Sequence, residues 1–326
     1  MVFSQSLSSS IRSVDPVHDL DAIADLIELC FAATIDADGK EYIRYLRRMA
    51  NSHLYHFVYE NSTQRPNSVE GFVWEEEKRI VGNLTLISFP NEKNPHYLIA
   101  NVAVHPDFRR KGIAHELTRA ALKEINQRQP GSVWLHVRDD NQEAIRLYES
   151  LGFVEKTRRS TWELEPDSQG ASPDSNLQIT SRLRTEWVKQ KEWLKVTYPV
   201  EIRWNLQLDE KHFVRGIWGH VKDWFLSDPM IHFSLHRSQM LEGIVTFETS
   251  SRRSNILWLA CPPENDADVI RYLIPGCLTR FPRNRPLAVN YPADRGVPAF
   301  GDMGWKKQNT LIWMEYFKQD SSRRLS

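Results

Sequence analysis

Apolar positions between residues 11 and 164 recur with two periods that alternate along the chain. Leu20, Ile23, Ala24, Ile27 and Phe31 repeat at helical spacing, which predicts a helix opened by Asp15-Pro16, and Glu41 to Met49 predicts a second. A short strand over Ile11 to Val14 precedes them. Gly71–Glu76 and Arg79–Ser88 alternate as strands joined by a charged turn at Glu76-Glu77-Lys78, and Tyr97 to Val104 is a further strand stopped by Pro106. Ile113 to Asn126 is helical until Pro130-Gly131 breaks the pattern. Val133–Val137 then reads as a strand, Gln142–Ser150 as a helix, and Phe153–Leu164 as one or two closing strands. The order β-α-α-β-β-β-α-β-α-β predicts an α/β fold, a mixed β-sheet flanked by helices.

Both periods vanish at EPDSQGASPDS, residues 165–175, too poor in apolar side chains to build a core. A chain of 326 residues accommodates two domains of about 150 residues each. The expected division is 1–165, a linker at 166–176, and 177–326. The second part is read as starting with helices and continuing in strands at Gly243–Thr249, Ile256–Ala260, Leu287–Val289 and Thr310–Tyr316. It repeats the first: LHVRDDNQEAIRLYESLGF (135–153) lies without a gap against LAVNYPADRGVPAFGDMGW (287–305), with Gly152 on Gly304, Phe153 on Trp305 and Tyr148 on Phe300. Two tandem copies are therefore expected.

The most informative segment is NVAVHPDFRRKGIAHELTRAALKEI, residues 101–125. An apolar strand runs into a proline, then into Arg109-Arg110-Lys111, then into Gly112-Ile113-Ala114 at the start of an amphipathic helix. A helix start offers amide N–H groups without intrahelical partners, and the helix dipole adds positive character there. Glycine lets an anion approach the backbone, and a small Ala114 keeps the turn open. Lysine plus arginine equals aspartate plus glutamate at 42 each, so no global charge draws nucleic acid. A local basic cluster still acts over roughly 8–10 Å. Neither a P-loop nor a G-x-G-x-x-G pattern is present.

Arg-x-x-Gly-x-Ala after a Val-x-Val-x-Pro strand resembles the pyrophosphate loop of the GNAT superfamily, the acetyl-CoA-dependent N-acetyltransferases. Some 25 residues on, VWLHVRDDNQEAIRLYESLGF carries the same superfamily's Asn-x-x-Ala-x-x-x-Tyr and Gly-Phe as Asn141, Ala144, Tyr148, Gly152 and Phe153. The resemblance implies that 1–165 is a catalytic acetyl-CoA-binding domain, and that Val102, Ala103 and Val104 offer free strand edges to the pantetheine arm. It implies that Arg109, Arg110, Lys111, Gly112, Ile113 and Ala114 hold the pyrophosphate, and that Asn141 contacts the pantetheine or caps its helix. Tyr148 would protonate the leaving thiolate. The tandem layout is similar to that of mycothiol synthase-like proteins.

An amine near pKa 10 must lose a proton before it attacks a thioester. Many relatives place a glutamate on the fourth strand, whereas HYLIANVAV holds no carboxylate. His96, Tyr97, Asn101, Glu28 and Asp36 stay open as the base, and His105 is read as structural. The second copy reads as degenerate, because its loop is ENDADVI, Ala293 stands for Asn141, and Phe300 for Tyr148. Trp187, Trp193, Trp204, Trp218 and Trp224 are read as its core. The expected activity is acetyl transfer from acetyl-CoA to a primary amine by direct attack, without metal. The acceptor would be a small molecule or a peptide, and the alternatives are a non-catalytic acyl-CoA sensor or a protein N-terminal or lysine acetyltransferase. Cys30, Cys261 and Cys277 show no metal-ligand or disulfide pattern. With no signal peptide or membrane span read, a cytoplasmic monomer or homodimer is expected, with no nucleic-acid or membrane partner.

Overall fold

The computed structural model describes residues 11–53, 55, 69–91, 93–166, 177–213, 230–250, 253–282 and 284–317. Residues 167–176 of the expected linker at 166–176, with Trp218 and Trp224, lie outside them. The chain divides into two compact units, Met1–Lys156 with Ile312–Ser326, and Thr157–Leu311. This corrects the expected cut at 166–176. The composition shift marks where the chain turns polar, but β6 (Phe153–Leu164) and β12 (Lys306–Tyr316) each run from one unit into the other.

In unit one, β1 (Ile11–Ser13), β2 (Glu70–Glu76), β3 (Arg79–Phe89), β4 (His96–Val104) and β5 (Ser132–Arg138) lie side by side in sequence order, and the end of β12 follows β5. Among β1 to β5 pairing is antiparallel except between β4 and β5, so the sheet is mixed as expected. One face carries α3 (Ile113–Gln127) and α4 (Gln142–Ser150), whose Ile113, Leu117, Ala121, Ile125 and Ile145 pack on Leu84, Ile99, Val133, Leu135 and Val137. Ile312 and Met314 of β12 are buried in that same cluster. A second core forms from α1 (Leu20–Phe31) and α2 (Ala37–Ala50) with Val73. Helix α1 begins later than Asp15-Pro16. Asp15 accepts the Val17 amide (2.9 Å) and Asp19 accepts the Asp15 amide (2.7 Å), folding a turn ahead of the helix. Helix α2 begins earlier than Glu41 because Asp36 caps it, accepting from the Gly39 amide at 2.8 Å.

Unit two repeats the order. β7 (Leu177–Ser181), β8 (Ile231–Arg237), β9 (Met240–Glu248), β10 (Asn255–Ala260) and β11 (Leu287–Pro292) lie in sequence, with β6 beside β11. It opens with a strand rather than with helices; β7 is short, and β8 breaks its apolar run with His232, Ser234 and His236. α5 (Trp187–Thr197) and α6 (Val200–Leu206) follow β7 as α1 and α2 follow β1. Helix α7 (Val297–Asp302) follows β11 as α4 follows β5. Gly152 and Gly304, paired by the repeat, both take positive φ (96° and 75°) ahead of a closing strand. Trp187 and Trp193 pack partly buried against the helix-side core. Among the described residues no helix is long and apolar enough to cross a membrane.

Candidate active site

Two departures from regular geometry open the centre of the unit-one sheet. The β4–β5 ladder runs from His96 opposite Ser132 to Ile99 opposite Leu135 and stops, although β4 continues to Val104 and β5 to Arg138. At the same place the β3–β4 register slips, with Asn83 opposite Ala103 and Thr85 opposite Ala100. Asn101 takes φ 51°, a left-handed conformation that asparagine tolerates better than most residues. This bulge turns the outer half of β4 away from β5 and leaves an edge of main chain facing a cavity of about 650 Å³.

That cavity collects all but one of the predicted site residues. Val102, Ala103, Val104, Arg109, Arg110, Gly112, Ile113, Ala114, Asn141 and Tyr148 line it, and Lys111 does not. The Lys111 ammonium lies instead over the Phe108 ring, 4.5 Å from its centroid. Gly112 is the N-cap of α3 with φ 80°, and a Cβ added to it would meet nothing within 4 Å. Arg110 is also left-handed, φ 65°. Two such residues within three positions make a concave turn of the kind in which successive amides converge on an anion.

The cations around this turn are held by specific partners. Arg110 forms an ion pair with Glu143. Arg109 donates Nε to the Val104 carbonyl at 3.2 Å, and the Cys30 thiol donates to the same oxygen at 3.2 Å. The Val104 carbonyl is therefore already engaged, so the free edge of β4 is shorter than expected. Burial raises the Cys30 pKa, opposed by neighbouring Arg109, which keeps the thiol protonated. Asn141 caps α4, its Oδ1 accepting from the Ala144 amide at 3.1 Å, while it also lines the cavity. At the far end of α4 Tyr148 is buried edge-on to Phe153, ring centroids 6.0 Å apart, and burial raises its pKa, so its hydroxyl keeps the proton through the neutral range.

None of the residues held open as the base stands at this cavity. His96, at the start of β4, bonds Ser132 Oγ at 2.7 Å, Tyr97 is in the apolar core, Glu28 pairs with Arg47, and Asp36 caps α2. Asn101 precedes the lining residue Val102 and is the bulge itself. His105 is structural, accepting the Asp107 amide at 3.3 Å. The two cavity carboxylates are paired, Asp140 with Arg138 and Glu143 with Arg110. Sequence reading passed over Arg138, which lines the cavity, and His136, which stacks on Trp313 with centroids 4.0 Å apart. Burial lowers the His136 pKa to about 3, and its Nε2 is buried without a partner. The alternation of Val133, Leu135 and Val137 on the core side already assigns 136 and 138 to the opposite face.

In unit two the segment after β10 is built differently. Asp266 of the acidic ENDADVI stretch is closed by Tyr291 Oη at 2.6 Å and by Arg295 at 2.6 and 2.8 Å, and Phe300 is fully buried. Among the described residues no group of three or more His, Cys, Asp or Glu is arranged to hold a metal ion.

Comparison with known proteins adds to this geometry. Residues 28–153 match the family described as Acetyltransferase (GNAT) family. A ribosomal protein bS18-alanine N-acetyltransferase of Salmonella typhimurium is 44% identical over 70 residues, 22% of this chain and 46% of that protein. A mycothiol acetyltransferase of Nocardiopsis dassonvillei is 33% identical over 95 residues, 28% of this chain and 26% of that protein. The chain thus spans less than half the length of these curated relatives. A solved GCN5-related N-acetyltransferase from Sphaerobacter thermophilus superposes with a TM-score of 0.57 at 14% identity, covering 94% of both chains. The likeness of fold therefore extends over both units.

Proposed function

We propose, starting from residues 28–153 as the GNAT-family acetyltransferase domain that they are, that unit one binds acetyl-CoA in the β4–β5 cavity and acetylates a primary amine. One observation carries the reading. An open, glycine-capped helix start, an unpaired strand edge and a buried tyrosine border a single cavity, offering partners to a diphosphate, an amide-bearing arm and a thioester. The donor set suits the group. Amides from Gly112 to Ala114 and the Arg109 and Arg110 side chains supply N–H donors for a diphosphate, and the edge at Val102 and Ala103 supplies main-chain partners for the arm.

Acetyl-CoA supplies an acyl group activated by its bond to sulfur. The acceptor arrives as a neutral amine, its nitrogen bonds to the acyl carbon and gives up one N–H proton, the C–S bond breaks, and the leaving thiolate takes a proton. Tyr148 is proposed to give that proton, since burial keeps its hydroxyl neutral and its ring borders the cavity. No lining carboxylate is unpaired, so the amine proton leaves through neutral groups or solvent. The relatives' names divide between a ribosomal-protein alanine and mycothiol, and the acceptor class proposed here is the primary amine. Unit two, with its carboxylate-closed loop and Phe300 in place of Tyr148, is proposed to bind no coenzyme.

The paired carboxylates also favour a second reading, an acyl-CoA binder without chemistry. Calorimetry with acetyl-CoA and thiol release with a panel of amines, aminoglycosides and peptides test both. Tyr148→Phe should leave coenzyme affinity within about twofold and lower turnover roughly a hundredfold. Full turnover by this variant from pH 6 to 9 would remove the acid role, and binding without thiol release across the panel would favour the binder.

A further inference from the structure

Directly behind the β4 bulge lies a buried polar cluster that the fold itself leaves incomplete. Asn83, 1% exposed, donates Nδ2 to the Asn101 carbonyl at 2.9 Å and lies 3.4 Å from Thr85 Oγ1, while its Oδ1 is buried without a partner. Asn101 Nδ2 also reaches Thr85 Oγ1 at 3.4 Å. From α2 the buried Tyr42 hydroxyl stands close to Thr85 and Asn101, whose polar groups partly offset the rise that burial gives its pKa, and it forms no well-aligned hydrogen bond with either. Buried oxygens without partners are uncommon because each forfeits its hydration. Two bordering one threonine–asparagine pair, beside a strained bulge, mark a place built to receive donors.

We infer that Asn83 Oδ1 and Tyr42 Oη receive the two N–H bonds of the acceptor's primary amine. The inference rests on the cavity's being the acetyl-CoA site. Position supports it: passing along β4 from the Gly112 loop, Val104, Ala103 and Val102 border the cavity and Asn101 comes next, about 3.3 Å further along the strand. The cluster thus stands past the proposed thioester end, on the α2 side. Its chemistry supports it as well. The two oxygens accept without charge, so they match a neutral amine with two N–H bonds and leave the nitrogen lone pair free for the acyl carbon. No carboxylate belongs to the cluster, so an ammonium gains no counter-charge from it. A secondary amine has one N–H bond too few, and a hydroxyl or thiol likewise.

Steady-state kinetics with three probes, an alanine-initiated hexapeptide, glucosamine and butylamine, test this for wild type and Tyr42→Phe. Because the Tyr42 oxygen makes no well-aligned hydrogen bond in the fold, Tyr42→Phe should leave the melting temperature and the acetyl-CoA KM nearly unchanged while raising the amine KM roughly tenfold. Asn83→Leu should act in the same direction, and the N-methylated form of each probe should be turned over at least tenfold more slowly. An unchanged amine KM in Tyr42→Phe, or equal turnover of N-methylated probes, overturns the inference while leaving acetyl-CoA binding intact. A lowered melting temperature with both KM values raised assigns the cluster a structural role only. If calorimetry with wild type shows no acetyl-CoA uptake, it is the underlying cavity reading that fails.

Discussion

Replacing Gly112 by alanine separates anion binding from loop shape. A residue with a Cβ pays about 1–2 kcal/mol to hold a left-handed conformation, and Gly112 has φ 80°. The added Cβ meets no protein atom within 4 Å, so strain is the whole cost to the fold. For a unit of this size that lowers the melting temperature by about 2–8 °C. Gly304 is a matched control in unit two, with φ 75° and equally open surroundings. Gly304→Ala therefore carries the same strain at a place with no proposed ligand. At Gly112 the new methyl group stands where a diphosphate would approach the amides. Losing one charge-assisted hydrogen bond is worth about 1.5–3 kcal/mol, so the acetyl-CoA Kd should rise roughly ten- to a hundredfold, whereas Gly304→Ala should leave it unchanged. Titration calorimetry and thermal melts on both variants give the comparison. If both lose the same few degrees and both bind acetyl-CoA as wild type does, Gly112 is only a turn and the proposed seat is wrong.

Other outcomes follow from the same structure. A chain ending at residue 311 loses Ile312 and Met314, each at most 1% exposed, and with them on the order of 5 kcal/mol of apolar burial. That approaches the whole stability of a typical domain, so hydrogen exchange should show α3 and α4 unprotected in this fragment. Gly152→Ala should destabilise more than Gly112→Ala, because its Cβ meets the Phe317 carbonyl at 3.3 Å and the Tyr316 ring at 3.4 Å in addition to the strain of φ 96°; urea midpoints compare the two. His136 is held neutral in the fold, its pKa lowered to about 3 by burial. The unfolded chain binds this proton near pH 6.5, so the stabilisation is complete above that pH and is lost as pH falls toward 3. The residue as a whole is not fully buried, which limits the loss to about 1–3 kcal/mol. His136→Phe should show a shallower fall in urea midpoint between pH 7 and 4, and an identical slope would refute the assignment.

Much of unit one was legible because its chemistry is local in sequence. Strand, cationic turn, Gly112 and α3 are contiguous, and α4 with Tyr148 begins within about thirty residues, so spacing alone brings these residues to one cavity. Lys111 falls outside the cavity lining because its ammonium is drawn over the Phe108 ring, a cation–π contact that a charge count does not weigh. The bulge at Asn101 was invisible to apolar patterning, since HYLIANVAV reads as an unbroken strand; its only trace is the asparagine. The cluster around Asn83 was missed for a related reason, its members coming from α2, β3 and β4. The unit boundary was misread because polar composition reports where chain is solvated and not which core a strand completes. The length of β6 and β12, 12 and 11 residues, was the available clue, being about twice that of an ordinary strand.

That exchange of strands bears on chemistry. Tyr148 is held edge-on to Phe153, Phe153 packs on Tyr316 with centroids 5.5 Å apart, and the Gly152 carbonyl accepts the Phe317 amide at 3.1 Å. The proposed proton donor is thus braced by residues some 170 positions later in the chain. Close packing leaves few alternative positions for an aromatic ring, so a hydroxyl at the end of a nine-residue helix is positioned by contacts that α4 alone does not contain. The His136 ring, stacked on Trp313, is fixed by the same strand. The proposed site of unit one is therefore finished only when residues 312–317 have docked, which ties the proposed activity to folding of the chain through residue 317 rather than of its first half.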